Sequence, residues 1–324
     1  MEIIKSKRLR TGDTVGVISP SSYISEHLWP DCERATGALG ALGLKVRMGA
    51  HAFDRHFYNA GTRDARLVDF HAMWRDPEVN MIMMSQGGDT ANHLLDGIDY
   101  DMIRQNPKIF AGFSDGTTLV NAIFARTGLV TYYGPSFLWG FSDPMDEIFV
   151  ENFRKTFFEG QVGPLTPNLH WRHTEKKELA YSGWHSVRSG RASGILMGGH
   201  SGCLVTTMLA GYAPDFQDAI LFLEGTESIA KLDRQCTVLH LNGTFAKIKG
   251  LIIGYCDNHE MPKEQGENRP VADMVLEATR GYDFPILEIS ELGHKVENYT
   301  FPVGCRATMD ADEKYLSIDD ATVA

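Results

Sequence analysis

The chain has no cysteine pair at short spacing. Its five cysteines, Cys32, Cys203, Cys236, Cys256 and Cys305, are odd in number and widely separated. That pattern excludes a CxxC zinc site and offers no disulfide framework; reduced thiols in a cytoplasmic protein are the simplest expectation. No run of about 18 apolar residues occurs, so no membrane span is expected. The N-terminal stretch MEIIKSKRLRTGDTVGVISP lacks the apolar core of a signal peptide. Basic runs are missing too. The formal net charge is −11, a field that repels polyanions, so nucleic acid is not an expected partner. HExxH is absent, and His170, His173, His240 and His259 show no metal-ligand spacing. A zinc site would need side chains gathered from distant loops. The expectation is therefore a protein with no metal and no organic cofactor.

What is present is ordinary globular composition, 43% hydrophobic and 23% charged, over 324 residues. That length favours two domains. TVGVIS reads as a buried first strand ending at Pro20. Residues 30–43 carry helical spacing and LKVRMGA reads as a strand. Residues 62–76 form an amphipathic helix with Thr62 as cap. VNMIMMSQ, KIFAGFSD and LVTYYGP read as further strands, with helices at 90–96 and in TTLVNAIFARTG. Strands alternating with helices predict a mostly parallel, doubly wound sheet. Residues 159–191, with Pro164, Pro167, three histidines, Trp171 and Trp184, break that rhythm and read as a linker plus an irregular loop. The rhythm returns in ILFLE, IKGLIIGY and FPILEIS, and Phe301–Met309 reads as a terminal strand. The boundaries are placed at 1–160, 161–190 and 191–324.

Three strand ends carry possible chemistry. Gly112-Phe113-Ser114-Asp115-Gly116 lies between a strand and a helix, as a nucleophile elbow does. The amide after the serine could then face an oxyanion. Taken alone, a helix cap by Ser114 or Asp115 is the simpler reading. Gln86-Gly87-Gly88-Asp89 lets backbone approach a ligand, or is merely a tight turn. Glu224 ends a buried strand, where a carboxylate needs a partner. His294 sits in a turn after ILEISEL and, singly, reads as structural. Together they run in the order Ser, Glu, His, one of the orders in which the hydroxyl–imidazole–carboxylate relay occurs.

Several segments together resemble the family of serine peptidases that contains LD-carboxypeptidases and microcin C immunity proteins. The central block AGTRDARLVDFHAMWRDPEVNMIMMSQGGDTANHLLDGIDYDMIRQNPKIFAGFSDGTTLVNA carries most of the likeness. GDTVGVISPSS, GLVTYYGP, SGRASGILMGGH, ILFLEGTE, IKGLIIGY and ELGHKVENYTFPVG continue it in order, spanning roughly residues 10–310. The resemblance implies Ser114 as nucleophile, Glu224 as acid, His294 as base, and the amides of Asp115 and Gly88 as oxyanion donors. It implies an N-terminal Rossmann-like (flavodoxin-like) domain supplying the serine and a C-terminal β-rich α/β domain supplying Glu and His, with the site between them. It also implies a homodimer and substrate contacts from Trp184 and Asp257; for Trp184, a ring packed away from the cleft is the alternative.

Two departures bear on substrate. QGGDT stands where murein-cleaving members carry an R-G-G-Y-G type turn, and is closer to the immunity branch. His200 stands where the family often has Asn. The expected activity is hydrolysis of an amide next to a free carboxylate or similar anionic end, in a peptidyl or aminoacyl nucleotide. The alternatives are release of D-alanine from a murein tetrapeptide and, from another class, a non-catalytic binding protein on the same scaffold.

Overall fold

A computed structural model describes residues 2–168, 183–225, 228–256 and 269–324. Thr14–Ile18 (β1), Lys45–Met48 (β2), Arg55–His56 (β3), Asn59–Ala60 (β4), Val79–Met84 (β5), Ile109–Gly112 (β6) and Thr131–Tyr133 (β7) alternate with Trp29–Ala41 (α1), Arg63–Arg75 (α2), Tyr100–Gln105 (α3) and Gly116–Thr127 (α4). Two short helices, Phe137–Phe141 (α5) and Glu147–Arg154 (α6), follow. The strands are there because β1, β6 and β7 are buried throughout and β5 is buried at all but Asn80. Such near-continuous apolar runs suit a sheet covered on both faces. Thr62 caps α2 by accepting the Ala65 amide at 3.2 Å, and Gly128 ends α4 in the left-handed conformation that glycine adopts without strain.

With Phe301–Val303 (β14) at one edge, the first sheet has the order β14-β7-β6-β5-β1-β2 and is parallel from β7 to β2. The chain leaves β1 toward β2 on one side and returns as β5 on the other. That reversal is a topological switch point, and the crevice for a ligand forms beyond the carboxyl ends of the strands there. The segment expected as a helix at 90–96 is a single 3-10 turn, Ala91–Leu94.

The second sheet is mixed. Gly163–Leu165 (β8), His185–Arg188 (β9), Arg191–His200 (β10), Ala219–Glu224 (β11), Gly250–Ile253 (β12), Ile286–Glu288 (β13), Arg306–Asp310 (β15) and Tyr315–Ile318 (β16) run in the order β8-β16-β15-β10-β11-β12-β13-β9. Ser201–Leu209 (α7), Ile229–Leu241 (α8) and Val271–Ala278 (α9) connect its parallel centre. Phe301–Val303 (β14) leaves this half and pairs antiparallel with β7 of the first sheet, Phe301 opposite Tyr133.

Two expectations are corrected here. Phe301–Met309 is not one strand: the chain changes sheets at Gly304, so one apolar run serves two cores. The stretch 159–191 is also not wholly irregular, since β8 and β9 close the two edges of the second sheet. The two sheets meet across α4, which is buried from Gly116 to Phe124 and contacts β6 and β7 on one side and α7 and β10 on the other. A helix buried on nearly every face belongs between layers. Among the described residues no helix is long and apolar enough to cross a membrane.

Candidate active site

Ser114 sits at the carboxyl end of β6 with φ +59°, one of four non-glycine residues with positive φ among those described. An L-residue in that region is strained, and such strain concentrates at functional turns. The helix α4 starts two residues later. Neither Ser114 nor Asp115 caps it through a side chain. The Asp115 carboxylate turns away instead, accepting from Ser21 Oγ at 2.7 Å and from the Ala91 amide at 2.8 Å. It thereby clamps the loop after β1 and the turn after β5 around the serine. The capping alternative is thus not what this turn is built for.

Gly87 lies hard against the serine. A side chain there would bring its Cβ to 2.9 Å from Ser114 Cβ, 3.0 Å from Ser114 Oγ and 3.5 Å from the Asp115 amide nitrogen. Glycine is required for that approach. Gly88 follows with φ +149°, packed on Ser21 and Ser22. Around it, Gln86 donates its side-chain amide to the Tyr23 carbonyl at 2.7 Å, while Asp89 is exposed.

Glu224 arrives from the other sheet. It ends β11 with no exposed surface, and its ladder partner on β10 is His200. One oxygen, Oε2, lies 2.8 Å from His294 Nδ1; the other accepts from the Tyr133 hydroxyl at 2.5 Å. Burial by itself pushes the carboxyl up. The His294 charge and hydrogen bond, then His200 and Tyr133, outweigh it and hold the group below its ordinary value. His294, on the turn after β13, is 19% exposed at its side chain. Its loop is fixed by Asn298, which accepts from the Gly293 amide at 2.6 Å and donates to the Gly293 and Val296 carbonyls. Phe113, beside Ser114, packs its ring 4.6 Å from that of His294.

Tyr133 joins the two halves. It accepts the Ser114 amide at 3.2 Å while donating to Glu224. Burial first, and Glu224 next, push its phenol well above the ordinary value, so it stays a neutral donor. The sequence reading missed this residue as a site member. Its signal was a Tyr at the carboxyl end of the strand next to the one that delivers the serine. Thr117 forms a second bridge, donating to the Ser114 carbonyl at 2.7 Å and accepting the His200 amide at 2.8 Å.

The structure therefore brings Ser114, Asp115 and Gly88 to one loop cluster, and joins it through Tyr133, Thr117 and Phe113 to Glu224 and His200 at strand ends and His294 on its turn. Among the described residues, His200, Glu224 and His294 could also hold a metal ion, with one ligand atom from each within 4.8 Å of the others. Trp184 departs from expectation. It is 1% exposed, and its Nε1 donates to Glu291 Oε2 at 2.6 Å. A ring so enclosed presents no face on which a flat ligand can stack, because the indole N–H has found its partner in the core. Asp257 and Trp171 lie outside the described residues.

Comparison with known proteins identifies the family. Residues 15–134 match the LD-carboxypeptidase N-terminal domain and residues 193–309 the C-terminal domain. The chain is 30% identical to the microcin C7 self-immunity protein MccF of Escherichia coli, over 96% of this chain and 94% of that one. It is 32% identical to the "Probable murein peptide carboxypeptidase" of Bacillus subtilis (strain 168), over 97% and 94%. The structure of MccF in complex with glutamyl sulfamoyl guanosine superposes with a TM-score of 0.91 at 29% identity, over 99% of both chains. A fold, two domain matches and full-length identity of this order leave one assignment: the chain belongs to the LD-carboxypeptidase family of serine peptidases.

Proposed function

We propose that the protein hydrolyses the acyl–nitrogen bond of a peptidyl or aminoacyl nucleotide, next to a free carboxylate or similar anionic end, with Ser114 as nucleophile. The observation that carries the reading is the Glu224–His294 contact at 2.8 Å, tied through Tyr133 to a serine held at positive φ. A carboxylate on Nδ1 keeps the ring proton there and leaves Nε2 as the base. In the reaction His294 Nε2 takes the Ser114 proton as Oγ attacks the acyl carbon. The oxyanion is met by the amides of Asp115 and Gly88. The proton then passes to the leaving nitrogen, the carbon–nitrogen bond breaks, and an acyl-serine remains. Water, deprotonated by His294, releases the acid and restores the serine.

The nucleotide preference is supported by the kind of relative that resembles this chain along its length. MccF has been seen with glutamyl sulfamoyl guanosine and with aspartyl sulfamoyl adenosine. The turn after β5 adds local support: QGGDT carries an exposed Asp89 and no arginine beside the oxyanion amides, which suits a strongly anionic stem peptide poorly. The enclosed ring of Trp184 adds no support. The murein reading remains the competitor, favoured by the 32% identity to a murein peptide carboxypeptidase.

The test is kcat/KM for aspartyl sulfamoyl adenosine beside a murein tetrapeptide, with products read by mass spectrometry. Preference for the nucleotide upholds the reading, and preference for the tetrapeptide replaces it. A serine-directed phosphonylating probe separates both from a binding protein, which would leave Ser114 unlabelled.

A further inference from the structure

We propose that His200, Glu224 and His294 form an inhibitory site for a divalent transition-metal ion of the zinc class, which stops the hydrolase by capturing its base. The blocking step rests on His294 being that base. The residues come from three segments, the ends of β10 and β11 and the turn after β13, brought together by a parallel ladder. Nothing in their sequence spacing signals a metal.

Two imidazoles and a carboxylate are a common three-ligand set for zinc, with a fourth position left for water. Their ligand atoms lie within 4.8 Å of one another. Zinc–nitrogen and zinc–oxygen bonds of about 2.0–2.1 Å place tetrahedral donors about 3.3 Å apart, so modest ring rotations close the set. The rings of His200 and His294 stand 5.4 Å apart at 70°.

His200 is well held for such a role. Its backbone amide is fixed by Thr117, and its Nδ1 accepts the Cys203 amide at 3.4 Å as the cap of α7. That leaves Nε2 as the second ring nitrogen. The relay itself needs one imidazole on the carboxylate, and His294 supplies it, so the second has no assigned task in the chemistry.

Ligation replaces a water on the ion and involves no redox step. A neutral imidazole carries one proton. An ion on His294 Nε2 takes the lone pair that would accept the Ser114 proton. An ion on Nδ1 shifts the ring's single proton from Nδ1 to Nε2, where it fills the site that would accept from Ser114. Either way the serine loses its base.

The experiment uses the metal alone. The full chain, freed of metal with EDTA, is titrated with Zn2+ by calorimetry and with Co2+ by its d–d absorption. Phosphonylation of Ser114 is then timed across the Zn2+ series. H200N is compared with its own metal-free rate, since Asn retains a cap for α7. Expected are one ion per chain, a labelling rate lowered at least about tenfold and restored by EDTA, and a zinc requirement raised by about 10–100-fold in H200N. Absence of saturable binding, or equal sensitivity in the two proteins, overturns the site and leaves the role of His294 standing. Binding that H200N abolishes, with labelling unaffected by the ion, upholds the site but overturns both the inhibition and His294 as base.

Discussion

The two halves of the molecule prepare their contributions in opposite ways. The first sheet delivers Ser114 on strained backbone: positive φ, a glycine pressed against the hydroxyl, and a clamp from Asp115 to the loops after β1 and β5. The second sheet delivers Glu224 on relaxed, fully buried strand and holds it by charge, with His294 and Tyr133 on its two oxygens. Strain positions one atom and tolerates little change in shape. Burial positions a charge and tolerates little change in ionisation. Tyr133 is where the two strategies meet, with one hydrogen bond to each side.

S114A tests the first half most severely. It removes the reacting atom from an otherwise intact turn. Turnover should fall by on the order of 10⁶-fold while the protein stays folded, because the attacking oxygen is gone. Steady-state rates and a melting curve decide it; near-normal turnover would refute the nucleophile.

E224Q is the matching change in the second half. Shape is kept, but the tautomer that leaves Nε2 free is no longer enforced, so kcat should fall by about 10³–10⁴-fold. This variant also carries a pH signature. A carboxyl held below its ordinary value contributes stability that is fully present above about pH 4.5 and is lost as pH falls through its depressed folded value. The stability gap between wild type and E224Q should therefore be widest above pH 4.5 and narrow in acid. A gap that is flat with pH would mean Glu224 is not ionised in the folded protein.

G87A sharpens the contrast, since it adds one methyl group and alters no charge. The new Cβ must displace Ser114 or the loop, at a cost of about 1–3 kcal/mol, and activity should drop about tenfold or more. Full activity would show that the turn is less tightly set than its distances imply. Y133F removes a hydroxyl that serves both halves. A loss of about 1–3 kcal/mol is expected because Glu224 Oε1 loses its donor in a buried site, and kcat should fall more than KM changes. An effect on stability alone would make Tyr133 a packing residue.

W184F should be the mildest for catalysis. It removes the indole donor from Glu291 Oε2, at about 1–3 kcal/mol of stability. It should leave kcat/KM for the nucleotide within a few-fold. A large rise in KM would restore the stacking role that the buried ring now argues against.

Much of the first half was legible in the chain because its strands are short apolar runs ended by Gly, Pro or a cap, and each element is decided locally. Thr62 and Gly128 act as a cap and a stop by their own chemistry. The second half was less legible. Phe301–Met309 is one apolar run by composition, yet it is divided between two sheets, and only packing assigns each piece. Trp184 looked the same to a sequence reading whether it faced a ligand or the core. The decision rests with Glu291, more than a hundred residues away, which takes its N–H.

Residue type, order and strand-end position, which are carried by single positions and their immediate neighbours, made Ser114, Glu224 and His294 candidates, each with a structural alternative, and the family resemblance singled them out. Tertiary structure alone decided that Tyr133 spans the two halves, that Asp115 clamps instead of capping, and that His200 stands beside His294 and Glu224. Those facts are contacts between strand ends far apart in the chain, and they come from ladder register and the meeting of two sheets across α4, neither of which any local run of residues encodes.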